Sequence, residues 1–431
     1  MTDVVLAGGM LIDGTGADPY PATVKLTGDR IASVERTARP GGDGAVGAQP
    51  SGPAEQLDLT GLFLLPGLID AHSHLGLVSF GDQASMPLAV QAAHIFRNVA
   101  LALRSGFTTL RDVGGVDGGL VQAIDLGLVP GPRVLPSGAL LCQTGGHGDA
   151  GPPFLDRAHH GPVGAPGLTQ GAHVCDGPDE VRRAARLQLR YGATQVKVCV
   201  SGGVLSRTDR LEDSQFGSDE LRAAVDEATA RGTYVTAHAH SVRGIQLGLA
   251  AGVSCFEHIT FLDRPTAARM AEAGAVAVPT LAVMRLLLER HDEWGVPKDM
   301  LSRLAGVEEA MGASVKLAHD AGIPLGSGSD ILGPAQDRRG LELVLKAELL
   351  GPMAAIVSAT SVNARILRLD RELGTVEAGK RADLIVLDRD PLAEPAVLDD
   401  PDRVVLVVKD GNVAKRAARL DARNGPSVAT S

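Results

Sequence analysis

Between about residues 84 and 330 the chain repeats one unit: an Ala-rich helical stretch, a glycine, then a short apolar run. Gly106, Gly232, Gly252, Gly274 and Gly322 each end a helical stretch and lead into FTTLRDV, TYVTAH, VSCFEH, AVAVPT and IPLGSGSD. The amphipathic segment Asp179–Arg190 likewise feeds ATQVKVCV. Glycine is the residue that most readily takes the left-handed conformation closing a helix, so each unit reads as a helix that stops and returns as a strand. Strands alternating with helices call for a parallel sheet with helical cover. Seven or eight such units predict a (β/α)8 barrel of TIM type.

A barrel of this kind takes roughly 250 residues, and the chain has 431. The remainder reads as β at both ends. Val4–Ala7, Val24–Leu26, Arg30–Val34 and Leu62–Leu65 are short strand-like runs separated by turn clusters, and Gly41–Gln56 is a Gly/Ala/Pro-rich loop. DLIVL at 383–387 and VVLVV at 404–408 are buried-strand runs, and Lys409-Asp410-Gly411-Asn412 is a hairpin signal. Neither end is long enough to stand alone, so the two are expected to pair into a small β-sandwich. The expected division is 1–65 with 366–420 as the β-sandwich, 66–365 as the barrel, and 421–431 as a flexible tail.

Composition excludes several functions. Forty-one basic against 51 acidic residues give a net charge of −10, with no basic cluster to follow phosphates. One Trp, three Tyr and eight Phe leave little for stacking bases. No apolar run reaches the roughly 18 residues of a membrane span, and no signal peptide is readable at MTDVVLAGGMLIDGTG. Cys142, Cys175, Cys199 and Cys255 show no CxxC spacing, so a reducing cytoplasm is the expected setting.

Metal-competent side chains fall at the ends of the predicted strands. His72 and His74 follow the apolar run Leu62–Ile69, and i, i+2 spacing on a strand puts both imidazoles on one face. Lys197 lies inside VKVCV, His238 and His240 close YVTAHAH, His258 closes VSCFEH, and Asp330 closes IPLGSGSD. A solitary strand-end histidine is more often a satisfied core residue, and a buried lysine can simply pair with a carboxylate. Repetition at the same end of successive units is what singles these out, because that end of a barrel carries the active site.

LPGLIDAHSH (65–74), strand-borne Lys197, AHAH (237–240), EH (257–258), GSGSD (326–330) and LGTVEAGKRADLIVLD (373–388) together resemble the amidohydrolase superfamily. TGGHGD (144–149), VKVCVSGGVLS (196–206) and EHITFLD (257–263) resemble its imidazolonepropionase-like subgroup, which includes dipeptidases of prolidase and arginine-carboxypeptidase type and hydrolases of ochratoxin and phenylureas. The resemblance implies a binuclear metal-dependent hydrolase that cleaves dipeptides or N-acyl amino acids, ochratoxin-like amides included. Ring-opening, deaminating, or urea and carbamate hydrolysis is the alternative. It implies two divalent ions, zinc by default: His72, His74 and Asp330 on one, His238 and His258 on the other, and Lys197 carboxylated to bridge them. A metal-bridged hydroxide would attack, with Asp330 as base and then acid and His147 donating to the developing oxyanion. Either His238 or His240 could be the ligand on strand geometry; family position favours His238, with His240 facing substrate. Arg207, Arg338 and Arg339 are candidates to clamp a substrate carboxylate, with a surface arginine the commoner reading for any one of them. The His-lacking segment after Asp330 departs from much of the dipeptidase subgroup and leaves the substrate open. Gly148–Val174, with His159, His160 and His173, is expected to be a lid or pocket wall. The resemblance also implies a homo-oligomer, an octamer being one form.

Overall fold

The computed structural model describes residues 3–37, 55–79, 83, 86–149, 164–206, 208–296 and 298–424. The chain divides into two compact units, one of residues 1–69, 100–109 and 337–431, the other of 70–99 and 110–336.

In the first unit the two chain ends share one mixed eight-stranded sheet. Its order is Asn412–Arg416, Val404–Lys409, Leu384–Leu387, Phe63–Pro66, Val4–Leu11, Tyr20–Thr27 and Arg30–Arg36, with Glu55–Asp58 also pairing along Val4–Leu11. The join between the ends is the antiparallel pair of Phe63–Pro66 with Leu384–Leu387. Leu6, Val24, Ile31, Leu64, Leu384 and Leu406, alternating along their strands, supply one common core. The hairpin between the last two strands turns at Asp410 and Gly411, with φ of 48° and 74°. Two consecutive positive φ values make the turn that matches strand twist. Gly41–Gln56 lies outside the described residues up to position 54. Ala418–Asn424 is a short helix, and the rest of the expected tail lies outside the described residues.

The barrel strands are Leu68–Ser73, Phe107–Asp112, Arg133–Pro136 continuing as Leu140–Cys142, Val196–Cys199, Val235–Ala239, Cys255–His258 and Val276–Val278. Those from the third to the seventh pair in parallel. Residues 325–330 serve as the eighth. Gly326 N donates to Ala277 O at 2.8 Å, while Ala71 N donates to Ser327 O at 2.9 Å and Asp330 N to His72 O at 2.8 Å. The eighth segment thereby joins the seventh strand to the first and closes the barrel. Gly328 makes this approach possible: a Cβ there would lie 2.3 Å from His72 Cβ. All four cysteines are buried and free. Among the described residues no helix is long and apolar enough to cross a membrane.

Candidate active site

His72 and His74 leave the first barrel strand on one face, and each has its Nδ1 held from behind. His72 Nδ1 donates to Glu257 Oε2 at 2.7 Å, and His74 Nδ1 donates to the Gly114 carbonyl. A carboxylate and a carbonyl only accept, so the Nε2 lone pairs point away from these partners. The two Nε2 atoms are 3.3 Å apart, and Asp330 Oδ1 lies 3.3 Å from the first and 3.2 Å from the second. Three acceptors this close call for a positive charge among them, a proton or a metal ion. Burial opposes charging of His74, but Asp330 outweighs it and raises the pKa; burial likewise opposes the Asp330 carboxylate, which the two imidazoles hold well below its usual range.

The remaining imidazoles close the ring. His238 Nε2 donates to Gly202 O at 3.1 Å, leaving Nδ1 as its acceptor. His240 Nδ1 meets Thr260 Oγ1 and His258 Nδ1 meets Thr280 Oγ1, both at 2.7 Å. His238, His240 and His258 bring one nitrogen each within 4.8 Å of one another, as do His72, His258 and Asp330 with their ligand atoms. Burial drives the pKa of His238 and His258 well below the ordinary value, and that of His240 down to about 3. Neutral imidazoles are the form that binds transition ions.

Lys197 stands in the fourth strand beside Thr236 of the fifth. It is 2 % exposed, its Nζ has no hydrogen-bond partner among the described residues, and burial lowers its pKa. A charged amine buried without a partner costs several kcal/mol, so burial works against the ammonium form.

His147 arrives from the loop after the third strand. Its ring stacks on His238 with centroids 4.0 Å apart, its Nδ1 lies 2.8 Å from Ser206 Oγ, and burial lowers its pKa to about 4. The following loop comes so close that a Cβ at Gly203 would fall 1.9 Å from His147 Nδ1. His72, His74, His147, Lys197, His238, His240, His258 and Asp330 all line one cavity of about 770 Å³.

Support for the cluster comes from groups that sequence reasoning missed. Arg111 is fully buried; its Nη2 donates to Glu257 Oε1 at 2.7 Å and its Nε to Ala71 O at 2.5 Å. Glu257 also accepts from Thr236 and His72, and despite burial Arg111 keeps its pKa depressed. Asp70 accepts from His72 N and Ser329 N through Oδ1 and from Ser329 Oγ through Oδ2, pinning the first strand to the eighth. His258, Ile259 and Asp330 have φ of 66°, 49° and 53°, a left-handed backbone that stores strain at functional sites. Arg111→Met leaves Glu257 buried without its main countercharge, and the expected loss of about 3–5 kcal/mol of stability is measurable by chemical denaturation.

The arginine candidates fare differently. Arg338 gives its guanidinium to Asp399, with Nε at 2.8 Å and Nη2 at 2.7 Å. Arg339 is 1 % exposed, and neither is among the cavity-lining residues. Arg207, His159 and His160 lie outside the described residues. His173 is buried and does not line the cavity.

Residues 63–414 match the Amidohydrolase family. The chain is 31% identical over 432 residues to the ochratoxinase of Aspergillus niger, covering 95% of this chain and 86% of that one. Among solved structures, a prolidase complexed with N-methylphosphonate-L-proline is 37% identical, with a TM-score of 0.87 and coverage of 96% and 100%. A Xaa-Pro dipeptidase with bound methionine in its active site is 29% identical, with a TM-score of 0.83 and coverage of 96% and 99%. With its barrel, its convergent imidazoles and these likenesses, the chain belongs to the amidohydrolase family and is a hydrolase.

Proposed function

We propose that the protein is a binuclear metal-dependent amide hydrolase acting on dipeptides or N-acyl amino acids. The observation that carries this reading is Lys197, a buried amine with no hydrogen-bond partner among the described residues, lining one cavity with the imidazoles and the Asp330 carboxylate. Two divalent ions close together need anionic bridges, and a lysine amine can supply one when its nitrogen adds to CO₂ and loses a proton to solvent, leaving a carbamate. His72, His74 and Asp330 would hold one ion, His238 and His258 the other, with Lys197 shared and zinc the default on imidazole chemistry. Bound there, such ions acidify a water and polarise a carbonyl. The likeness to a prolidase and an ochratoxinase supports an amide as the bond cut.

The protein's own groups then do the following. Asp330, within 3.3 Å of both first-strand imidazoles, takes the proton of the attacking water. It returns that proton to the amide nitrogen as the C–N bond breaks, giving a carboxylic acid and an amine. His147, neutral and held at Nδ1 by Ser206, presents Nε2 to the carbonyl oxygen as charge develops. His240, held at Nδ1 by Thr260, faces substrate. His147→Ala is expected to keep its metal and lose about 10²–10³-fold in kcat, read by steady-state kinetics with metal analysis of the same preparation.

The direct test is a hydrolysis screen of the zinc-loaded protein against Xaa-Pro and hydrophobic dipeptides, N-acyl amino acids, ochratoxin A and phenylureas. Turnover of carboxylate-bearing amides is expected. Turnover of a neutral urea alone would overturn the reading.

A further inference from the structure

Away from the imidazole, lysine and aspartate group, the cavity wall is mainly aliphatic, with Leu140, Val204, Leu205, Val283, Met284 and Leu287 prominent. Three of these come from one short helix, Leu281–Glu289. Positions 283, 284 and 287 fall on one helical face that lines the cavity, and all three are at most 5 % exposed, so most of each side chain is packed firmly into the wall.

This helix is fixed in place. It starts directly after Thr280, whose Oγ1 lies 2.7 Å from His258 Nδ1. Further along, Arg285 pairs with Glu308 of the neighbouring helix Leu301–Asp320 at 2.5 Å. The apolar face is therefore set in register with the imidazole cluster before any ligand arrives.

The charges available to a ligand are few. Among the described lining residues Lys197 is the one lysine or arginine, and Asp149 and Asp330 are the carboxylates. Asp149 is engaged by Gly145 N at 3.0 Å. A charged side chain entering the aliphatic part would lose its hydration without gaining a partner, whereas a bulky apolar one would be desolvated with gain. A cavity of about 770 Å³ also exceeds what two small residues fill.

We propose that a group flanking the scissile amide is a bulky, uncharged apolar side chain, and that Met284 and Leu287 are the specificity-determining residues that select it. This rests on the amide-hydrolase reading above. The test uses the metal-loaded full chain with two readouts. The first is kcat/KM for Gly-Xaa and Xaa-Gly dipeptides and N-acetyl-Xaa, where Xaa is Leu, Phe, Glu or Lys. The second is calorimetric binding of the free amino acids Leu, Phe, Glu and Lys, which needs no turnover.

Leucine and phenylalanine members are expected to exceed the charged ones by at least ~100-fold in kcat/KM, with the same ranking in binding. Leu287→Arg should bring the glutamate member above the leucine member. Met284→Ala, a milder change that enlarges the site, should raise the phenylalanine-to-leucine ratio about 10-fold. Glutamate or lysine members handled as well as leucine would overturn the proposal. So would a folded Leu287→Arg or Met284→Ala that keeps the wild-type ranking. If no amide in any series is cut, the amide-hydrolase reading fails, and the calorimetric ranking still decides the cavity's selectivity.

Discussion

Lys197→Ala is expected to lose metal and activity together. Removing the amine removes the group proposed to become the bridging carbamate, and the ions that remain would lose that negative charge between them. Activity should fall about 10³-fold or more, equivalent to some 4 kcal/mol of barrier stabilisation. Metal analysis of the same protein should show fewer ions per chain than the wild type. A small carboxylate such as acetate or propionate, added with the metal, should restore part of both, because it can fill the vacated space with the missing negative charge. Simple collapse of the barrel would show no such rescue. Full activity in Lys197→Ala would refute the bridging role.

Asp330→Asn should be the second large loss, of about 10²–10⁴-fold in kcat. The substitution suits the fold: asparagine tolerates the left-handed backbone that Asp330 adopts at φ 53°, and Asp330 N keeps its bond to His72 O. The metal-free variant should therefore stay folded, with a midpoint lowered only by the lost pairing of Asp330 with the first-strand imidazoles, while the proton acceptor is gone. Comparison with Asp330→Ala separates the two contributions, since alanine meets the strained backbone at greater cost. A kcat close to wild type in Asp330→Asn would remove the residue from proton transfer.

The barrel and its polar rim were legible because both rest on repetition. Each helix stops at a glycine and each strand is a short apolar run, so Lys197, His238, His258 and Asp330 were conspicuous as polar residues in apolar surroundings. The same rule would have picked out Arg111 in FTTLRD and Glu257 in VSCFEH, each a charge inside a buried strand. They were passed over because an ion pair between residues 146 positions apart has no local spacing. Thr260 and Thr280, which hold His240 and His258, carry no signal in sequence; a threonine after a strand is ordinary until the fold brings a ring nitrogen to it. Arg338 shows a different limit. Its position soon after Asp330 suggested a substrate clamp, but sequence proximity to a site residue says nothing about direction, and its guanidinium is bound to Asp399. The aliphatic wall was equally out of reach, since Leu140, Val204 and Leu287 come from three separate elements and meet only in three dimensions.

Metal stoichiometry of the active enzyme tests the central claim most directly. Protein prepared without chelators and titrated with zinc should reach full activity at about two ions per chain, as a bridged two-ion site requires. Full activity at one ion per chain, with no further gain from a second, would contradict the binuclear account.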